Sequence, residues 1–339
     1  MAELLPLYSV IVPAYQAAIT IGQCLDALSA QTVARAQYEI IVVDDGSTDD
    51  TAPVAEQAGA DQVLRCPHRG PAAARNAGIA AARGRVILLT DADCEPQSDW
   101  LALMLQPFAD PDVAGVKGSY ITRQTAVVPR LAQCEFEERY DLQERRPTID
   151  FVDSYAAAFR ASVLRAAGGF DPAFTRANNE DVELSYRLAR LGHKLVFVRR
   201  AQVAHQHVAT WRGYFRVKRR RGFWRMLVYR LHPGKALRDS YTPQTLKLQI
   251  LLVYATVALA LAACVWHPLA WGALLSLGGL VLSGWGFYKL VRTQDPAVTF
   301  WAPFFIVTRA VAFALGVVAG LIGMFSFRPS ATTNRAEHG

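Results

Sequence analysis

Cysteine is scarce: five occur among 339 residues (Cys24, Cys66, Cys94, Cys134 and Cys264), and no two form a Cys-x-x-Cys pair. With an odd number and loose spacing, neither a disulfide framework nor a zinc site is indicated, and a reducing compartment fits best. Charge is thin too, at 19% of residues against 52% hydrophobic. That excludes an ordinary soluble chain unless part of it sits in lipid. The 29 acids are outnumbered by 36 Lys and Arg, and the formal net charge of +7 points to an anionic partner. Nucleic acid, phospholipid and nucleotide all stay open on that ground alone. The N-terminus is not expected to act as a signal peptide: the run Leu4 to Val12 is short, broken by Pro6 and without a basic flank. What precedes the first span is therefore expected to remain in the cytoplasm. There is no internal repeat and no low-complexity tract, and the length suits one large domain plus an appendage, or two domains.

Long apolar runs are present, all beyond residue 240: Leu246–Trp266, Leu269–Leu290 and Trp301–Phe325. Each reaches the ~20 residues that cross a hydrocarbon core. Arg212, Arg216, Lys218, Arg219, Arg220, Arg221, Arg225, Arg230, Lys235 and Arg238 precede them with no acid interleaved. The joint at His267-Pro268 is short and uncharged, while Lys289 and Arg292 follow the second run. By the positive-inside rule the large domain and second link are expected inside, and the hairpin tip and C-terminus outside. The basic segment also carries Trp211, Tyr214, Phe215, Phe223, Trp224 and Tyr229. This reads as an interfacial helix on an anionic phospholipid surface, and nucleic acid is set aside because a membrane span follows directly. Arg309 inside the third run is expected to snorkel, pair with a carbonyl or hold a lipid phosphate. Gly316 and Gly320 permit close helix packing, within one chain or between two, so an oligomer is possible.

Before residue 210, strand-like and helical patterns alternate. Tyr8–Val12, Tyr38–Val43, Asp61–Leu64 and Val86–Leu89 read as strands, and Ile19–Ala30, Thr51–Ala58 and Ala72–Ala82 as helices. The order predicts an α/β domain with a mainly parallel sheet, whose ligands gather beyond the carboxyl ends of the strands. Two of those ends run into acidic clusters, Asp44-Asp45-Gly46-Ser47 and Thr90-Asp91-Ala92-Asp93. Asp49 and Asp50 read as helix caps. A turn-capping role suits one of Asp44 and Asp45 but not both.

Six pieces stand in order: Val10-Ile11-Val12-Pro13-Ala14-Tyr15, Val42-Val43-Asp44-Asp45-Gly46-Ser47-Thr48-Asp49, Ala74-Arg75-Asn76-Ala77-Gly78, Asp91-Ala92-Asp93, Gly168-Gly169-Phe170-Asp171 and Glu180-Asp181. Together, over roughly Tyr8 to His207, they resemble a family 2 glycosyltransferase of the GT-A fold, Rossmann-like and specific for nucleotide-diphospho-sugars. The resemblance implies a nucleotide-sugar donor, UDP-sugar first, with Pro13 and Tyr15 beside the nucleoside. Asp44, or Asp45 in its place, would accept from the base or ribose, and Arg75 would reach the base or diphosphate. Asp91 would contact the ribose, or the metal through water, with Asp93 the direct ligand of Mg²⁺ or Mn²⁺ and His205 a further metal or diphosphate ligand. His207 reads as structural. Asp181, paired with Glu180, is implied as the general base, in a first helical turn whose dipole would keep it ionised near neutral pH.

The expected architecture is a GT-A domain over 1–210, a basic interfacial segment over 211–240, three transmembrane helices over 241–327 and a polar tail over 328–339. The expected reaction is inverting transfer of a sugar to a membrane-associated hydroxyl on a lipid or lipid-linked glycan, at the plasma (inner) membrane with the catalytic domain cytoplasmic. A polyprenyl-phosphate acceptor is the alternative, but it needs no base, and Glu180-Asp181 favours a hydroxyl. A processive polysaccharide synthase would carry Gln-x-x-Arg-Trp, where Lys218-Arg219-Arg220-Arg221-Gly222-Phe223-Trp224 stands. A nucleotidyltransferase would open with a glycine-rich loop, where Pro13-Ala14-Tyr15-Gln16 stands. A catalytically silent nucleotide-sugar binder is the non-enzyme alternative, against which Asp93 and Asp181 speak.

Overall fold

Aliphatic runs at Tyr8–Ala14 (β1), Tyr38–Asp44 (β2), Gln62–Arg65 (β3) and Val86–Leu89 (β4) form parallel strands in the order β3-β2-β1-β4. Every position of β2 is buried, as a strand covered on both faces requires. The covering helices include α1 (Ile21–Ser29), α2 (Thr51–Gln57) and α3 (Pro71–Ala81). α1 turns Ile21, Cys24, Leu25 and Leu28 inward, the stripe its spacing predicts. The computed structural model describes residues 6–174, 179–236 and 239–323. Leu4, Arg238, Phe325 and the polar tail 328–339 lie outside the described residues.

The remaining strands keep the sheet mainly parallel but add two antiparallel members. β5 (Cys94–Pro96), β6 (Val113–Ile121), β7 (Ala157–Arg160) and β8 (Lys194–His205) complete an eight-stranded sheet ordered β3-β2-β1-β4-β7-β6-β8-β5. β7 runs antiparallel to β4 and β6, and β5 antiparallel to β8. Only Thr90-Asp91-Ala92-Asp93 separates β4 from β5, too little chain for the crossover a parallel neighbour needs. The acidic turn therefore sends β5 to the far edge, beside the end of β8. Helices α4 (Trp100–Leu105), α6 (Ala161–Ala166) and α7 (Glu180–Arg190) belong to the same layers, and one core joins Ile11, Ile41, Ile87, Phe159, Leu184 and Leu195.

Two compact units emerge. The first holds the sheet; the second combines Gln124–Leu142 with the chain from His207 onward. The second contains most of α5 (Val127–Glu144), with α8 (Trp211–Leu231), α9 (Gln244–Ala263), α10 (Leu269–Leu282), α11 (Trp285–Gln294) and α12 (Ala302–Gly323). Three segments, Gln244–Ala263, Leu269–Gln294 and Pro296–Gly323, are long and apolar enough to cross a membrane. The middle one is interrupted at Ser283-Gly284, between α10 and α11.

α8 is more than a surface helix. It lies against α12 so closely that a Cβ on Gly316 would stand 2.1 Å from the Arg219 carbonyl oxygen, and one on Gly320 2.7 Å from that of Phe223. The small-residue pattern on α12 thus operates within one chain. Within the basic segment Lys218 is buried, 3% exposed, with Nζ 2.6 Å from Glu135 Oε2. Glu135 also accepts from Arg139 at 2.5 Å and from the Tyr214 hydroxyl at 2.8 Å. Burial alone would raise its carboxyl, but Lys218, then Arg139 and Arg309, hold it far below the ordinary range. Arg309 pairs with an amide carbonyl, as one reading of it expects, and adds a carboxylate. Its guanidinium donates to Glu138 at 3.2 Å and Gln249 at 3.1 Å, so protein groups provide the compensation a buried cation requires. His207 is structural as expected, its ring 3.0 Å from Gln133 Oε1 and stacked on Phe136.

Candidate active site

The first unit gathers its polar side chains where β1, β2 and β4 end. Their register puts Ala14 beside Asp44 and Ile11 beside Leu89, so Pro13, Asp44 and the turn Thr90–Asp93 share one edge of the sheet. Asp44 accepts from the backbone of Ser47 at 2.9 Å. Asp45 accepts from Arg69 and Gly70, both at 2.9 Å, and lies 3.0 Å from His68 Nδ1. Asp44 thus caps its own turn while Asp45 holds a loop elsewhere in the chain, so the turn-capping role falls to one of the two. Asp45 fastens the entry to α3, where Gly70 takes φ +91°, a conformation open to glycine. Tyr15 is 48% exposed and stacks on His68 with centroids 4.2 Å apart, leaving a ring face at the strand end.

One turn into α3, Arg75 points inward and is 3% exposed. Its fork donates to Asp91 Oδ1 at 2.9 Å and Glu180 Oε1 at 2.8 Å, an arrangement a lysine could not copy. Arg75 is therefore engaged with two protein carboxylates. Its neighbour Asn76 clamps the next segment, accepting from Phe170 N at 2.8 Å and donating to Phe170 O at 2.7 Å. A Cβ on Gly169 would meet Asn76 Oδ1 at 2.4 Å, and Gly168 and Gly169 both have positive φ. Arg187 on α7 also donates to the carbonyl oxygens of Ala167 and Gly169. These interactions hold the Gly168-Gly169-Phe170-Asp171 loop against α3 and α7.

α7 begins with Glu180 and Asp181. Asp181 Oδ2 lies 3.4 Å from Ser154 N, and burial, then Glu180 and Asp153, push its carboxyl from an ordinary 3.8 up to about 7. Loss of water and crowding by carboxylates thus act against the helix dipole at this position. Asp153 forms an ion pair with the fully buried Lys117 at 2.6 Å, and Lys117 donates to Gln143 at 2.8 Å. Neither Lys117 nor Asp153 stands out in the sequence, since nothing local marks a lysine in a strand as buried.

Beyond β4 the acids separate in character. Burial raises Asp91 despite Arg75, whereas Asp93 is lowered because contact with His205 overcomes its desolvation. Asp93 Oδ1 and His205 Nδ1 are 3.6 Å apart, and the imidazole stacks on Tyr120 at 4.4 Å. Cys94 completes a cluster with them, its ligand atom and theirs all within 4.8 Å of one another. A carboxylate oxygen from the turn and an imidazole nitrogen from the end of β8 suit a divalent cation. Asp91, with Oδ1 on Arg75, stands one step back from that pair.

The model of the Glycosyl transferase family 2 matches residues 9–168, which include Arg75, Asp91 and Asp93. A pre-mycofactocin glycosyltransferase of Mycobacterium tuberculosis is 37% identical over 180 residues, covering 50% of this chain and 37% of that protein. Glycosyltransferase AglE of Haloferax volcanii is 38% identical over 106 residues, 30% of this chain and 35% of its own. The chain thus spans little more than a third of these relatives. Among solved structures, a mannosyltransferase from Pyrobaculum calidifontis, in complex with GDP-Man and Mn²⁺, superimposes with TM-score 0.60 at 22% identity, over 94% of this chain and 88% of that one. That likeness is one of fold. Sheet order, motif positions and matched segment agree: residues 9–168 are a family 2 glycosyltransferase region on the GT-A fold.

Proposed function

We propose that the protein transfers a sugar, with inversion, from a nucleotide-sugar donor to a hydroxyl of a membrane-associated acceptor. The observation that carries this reading is Asp181, a carboxyl poised near neutral pH and linked through Glu180 and Arg75 to the acidic turn at Asp91. A base with a pKa near the working pH suits removal of a hydroxyl proton, a step a phosphate acceptor does not need. Asp181 accepts the acceptor's proton as its oxygen attacks the anomeric carbon and the nucleotide diphosphate departs. Arg75 orients Asp91 and Glu180, and Asn76 and Arg187 fix the loop at Phe170. Pro13, Tyr15 and Asp44 stand where a nucleoside would lie, at the ends of β1 and β2. Asp93 and His205 would hold Mg²⁺ or Mn²⁺, which supplies charge neutralisation for the leaving diphosphate when bound.

The Pyrobaculum enzyme of the same fold holds GDP-Man and Mn²⁺, so a GDP-sugar joins UDP- and dTDP-sugars among donors to try. The three apolar segments support a membrane anchor, and the basic approach to them supports a cytoplasmic catalytic unit at the inner membrane. The test is a thermal-shift screen of UDP-, GDP- and dTDP-sugars with Mg²⁺ or Mn²⁺. A matching donor at 100 times its Kd should stabilise by about 2.7 kcal/mol. Silence across all donors with both ions would refute the proposal.

A further inference from the structure

Cys94 has no role in the reaction above, yet its place is specific. It opens β5 directly opposite His205 on β8, and direct antiparallel partners project their side chains to one face. Asp93 belongs to the turn just before, closed by Cys94 N donating to Asp91 O at 3.0 Å. The three ligand atoms form a nearly equilateral triangle: Asp93 Oδ1 to His205 Nδ1 3.6 Å, Cys94 Sγ to Asp93 Oδ1 3.7 Å, and Cys94 Sγ to His205 Nδ1 3.9 Å.

Those edges discriminate between coordination geometries. Oxygen, nitrogen and sulfur ligands at zinc distances around a tetrahedral centre lie roughly 3.4–3.6 Å apart. Hard ligands at ~2.1 Å around an octahedral centre lie only ~3.0 Å apart. The triangle is a slightly open tetrahedral face, and it includes a thiol, which magnesium does not select. We propose that Cys94 is a third protein ligand beside Asp93 and His205, giving the cation site a tetrahedral mode that takes a zinc-class cation and leaves the fourth position open. This rests on the reading of Asp93 and His205 as cation ligands. The thiol proton is released to solvent as the metal–sulfur bond forms. A zinc-class cation would then compete with Mg²⁺ or Mn²⁺ and regulate the enzyme by occupancy.

Co²⁺ reports the difference, because thiolate ligation gives a near-ultraviolet charge-transfer band and tetrahedral geometry gives strong visible absorption. The full chain in detergent, with the exposed Cys264 replaced (Cys264→Ser), is titrated with Co²⁺ alone. Both features should appear and be displaced by Zn²⁺. Cys94→Ser and, separately, Cys94→Ala should abolish the band and weaken Co²⁺ by at least about tenfold, with Mn²⁺ binding by electron paramagnetic resonance changed less than about twofold. Cys24→Ser, whose sulfur faces the Asp91 carbonyl oxygen, should keep the band. Bound Co²⁺ without a thiolate band, or a band that survives both Cys94 substitutions, would overturn the assignment. A band in a protein that binds no Mn²⁺ would support Cys94 and remove the hard-cation role from the proposed reaction. Mn²⁺ binding without the band would do the reverse.

Discussion

Asp181→Asn should separate stability from activity. Asparagine keeps the volume and can still accept from Ser154, but it has no charge to bury. The Asp181 carboxyl is raised from 3.8 to about 7, so the folded protein holds its proton more tightly than the unfolded chain does. For such an acid the stability it contributes is complete below pH 3.8. That stability declines as pH rises through the interval to about 7, and the penalty is constant above. A rise from 3.8 to about 7 sets a ceiling of ~4 kcal/mol, which relaxation of Glu180 and Asp153 would reduce. The variant should therefore melt higher than the natural protein at pH 8, with the gap closing towards pH 4. Turnover should fall by about 10²–10⁴, the usual contribution of a general base, while donor-induced stabilisation persists. In the natural protein, turnover should rise with pH and level off above about 7. The assay pairs thermal melts at several pH values with single-turnover transfer. A variant that melts lower at pH 8, or that retains full turnover, would refute the reasoning.

Two other substitutions test the charge pairings. Arg75→Met leaves Asp91 and Glu180 without their shared cation and should cost about 3–5 kcal/mol at pH 8, recovering as acid protonates them; melts across pH check this. Glu135→Gln leaves the buried Lys218 without its carboxylate and should lower stability by a similar ~3–5 kcal/mol, with partial recovery in Glu135→Gln combined with Lys218→Met; thermal melts of the single and double variants decide it.

The first four strands were legible because their signals are local. Buried β-branched runs alternate with helical stripes, and the acidic residues follow each strand immediately. The two antiparallel strands, β5 and β7, were not, because they are short and their partners are set by distant pairing. Cys94 shows the same limit at the site: spacing rules inspect near neighbours, while its partner His205 is 111 residues away. Arg75 was not legible as a buried fork between two acids, because Glu180 is 105 residues away. The stretch Glu135-Phe136-Glu137-Glu138-Arg139 resembles a solvated helix face, and the cations of α8 and α12 join Arg139 in compensating its interior acids.

The crossing of α8 and α12 has a consequence for assembly. Gly316 and Gly320 are occupied by the backbone of Arg219 and Phe223, so that glycine stripe is closed to a second copy of the protein. Any homodimer must be built on another surface, and enlarging Gly316 would unfasten the chain from itself before it disturbed a partner.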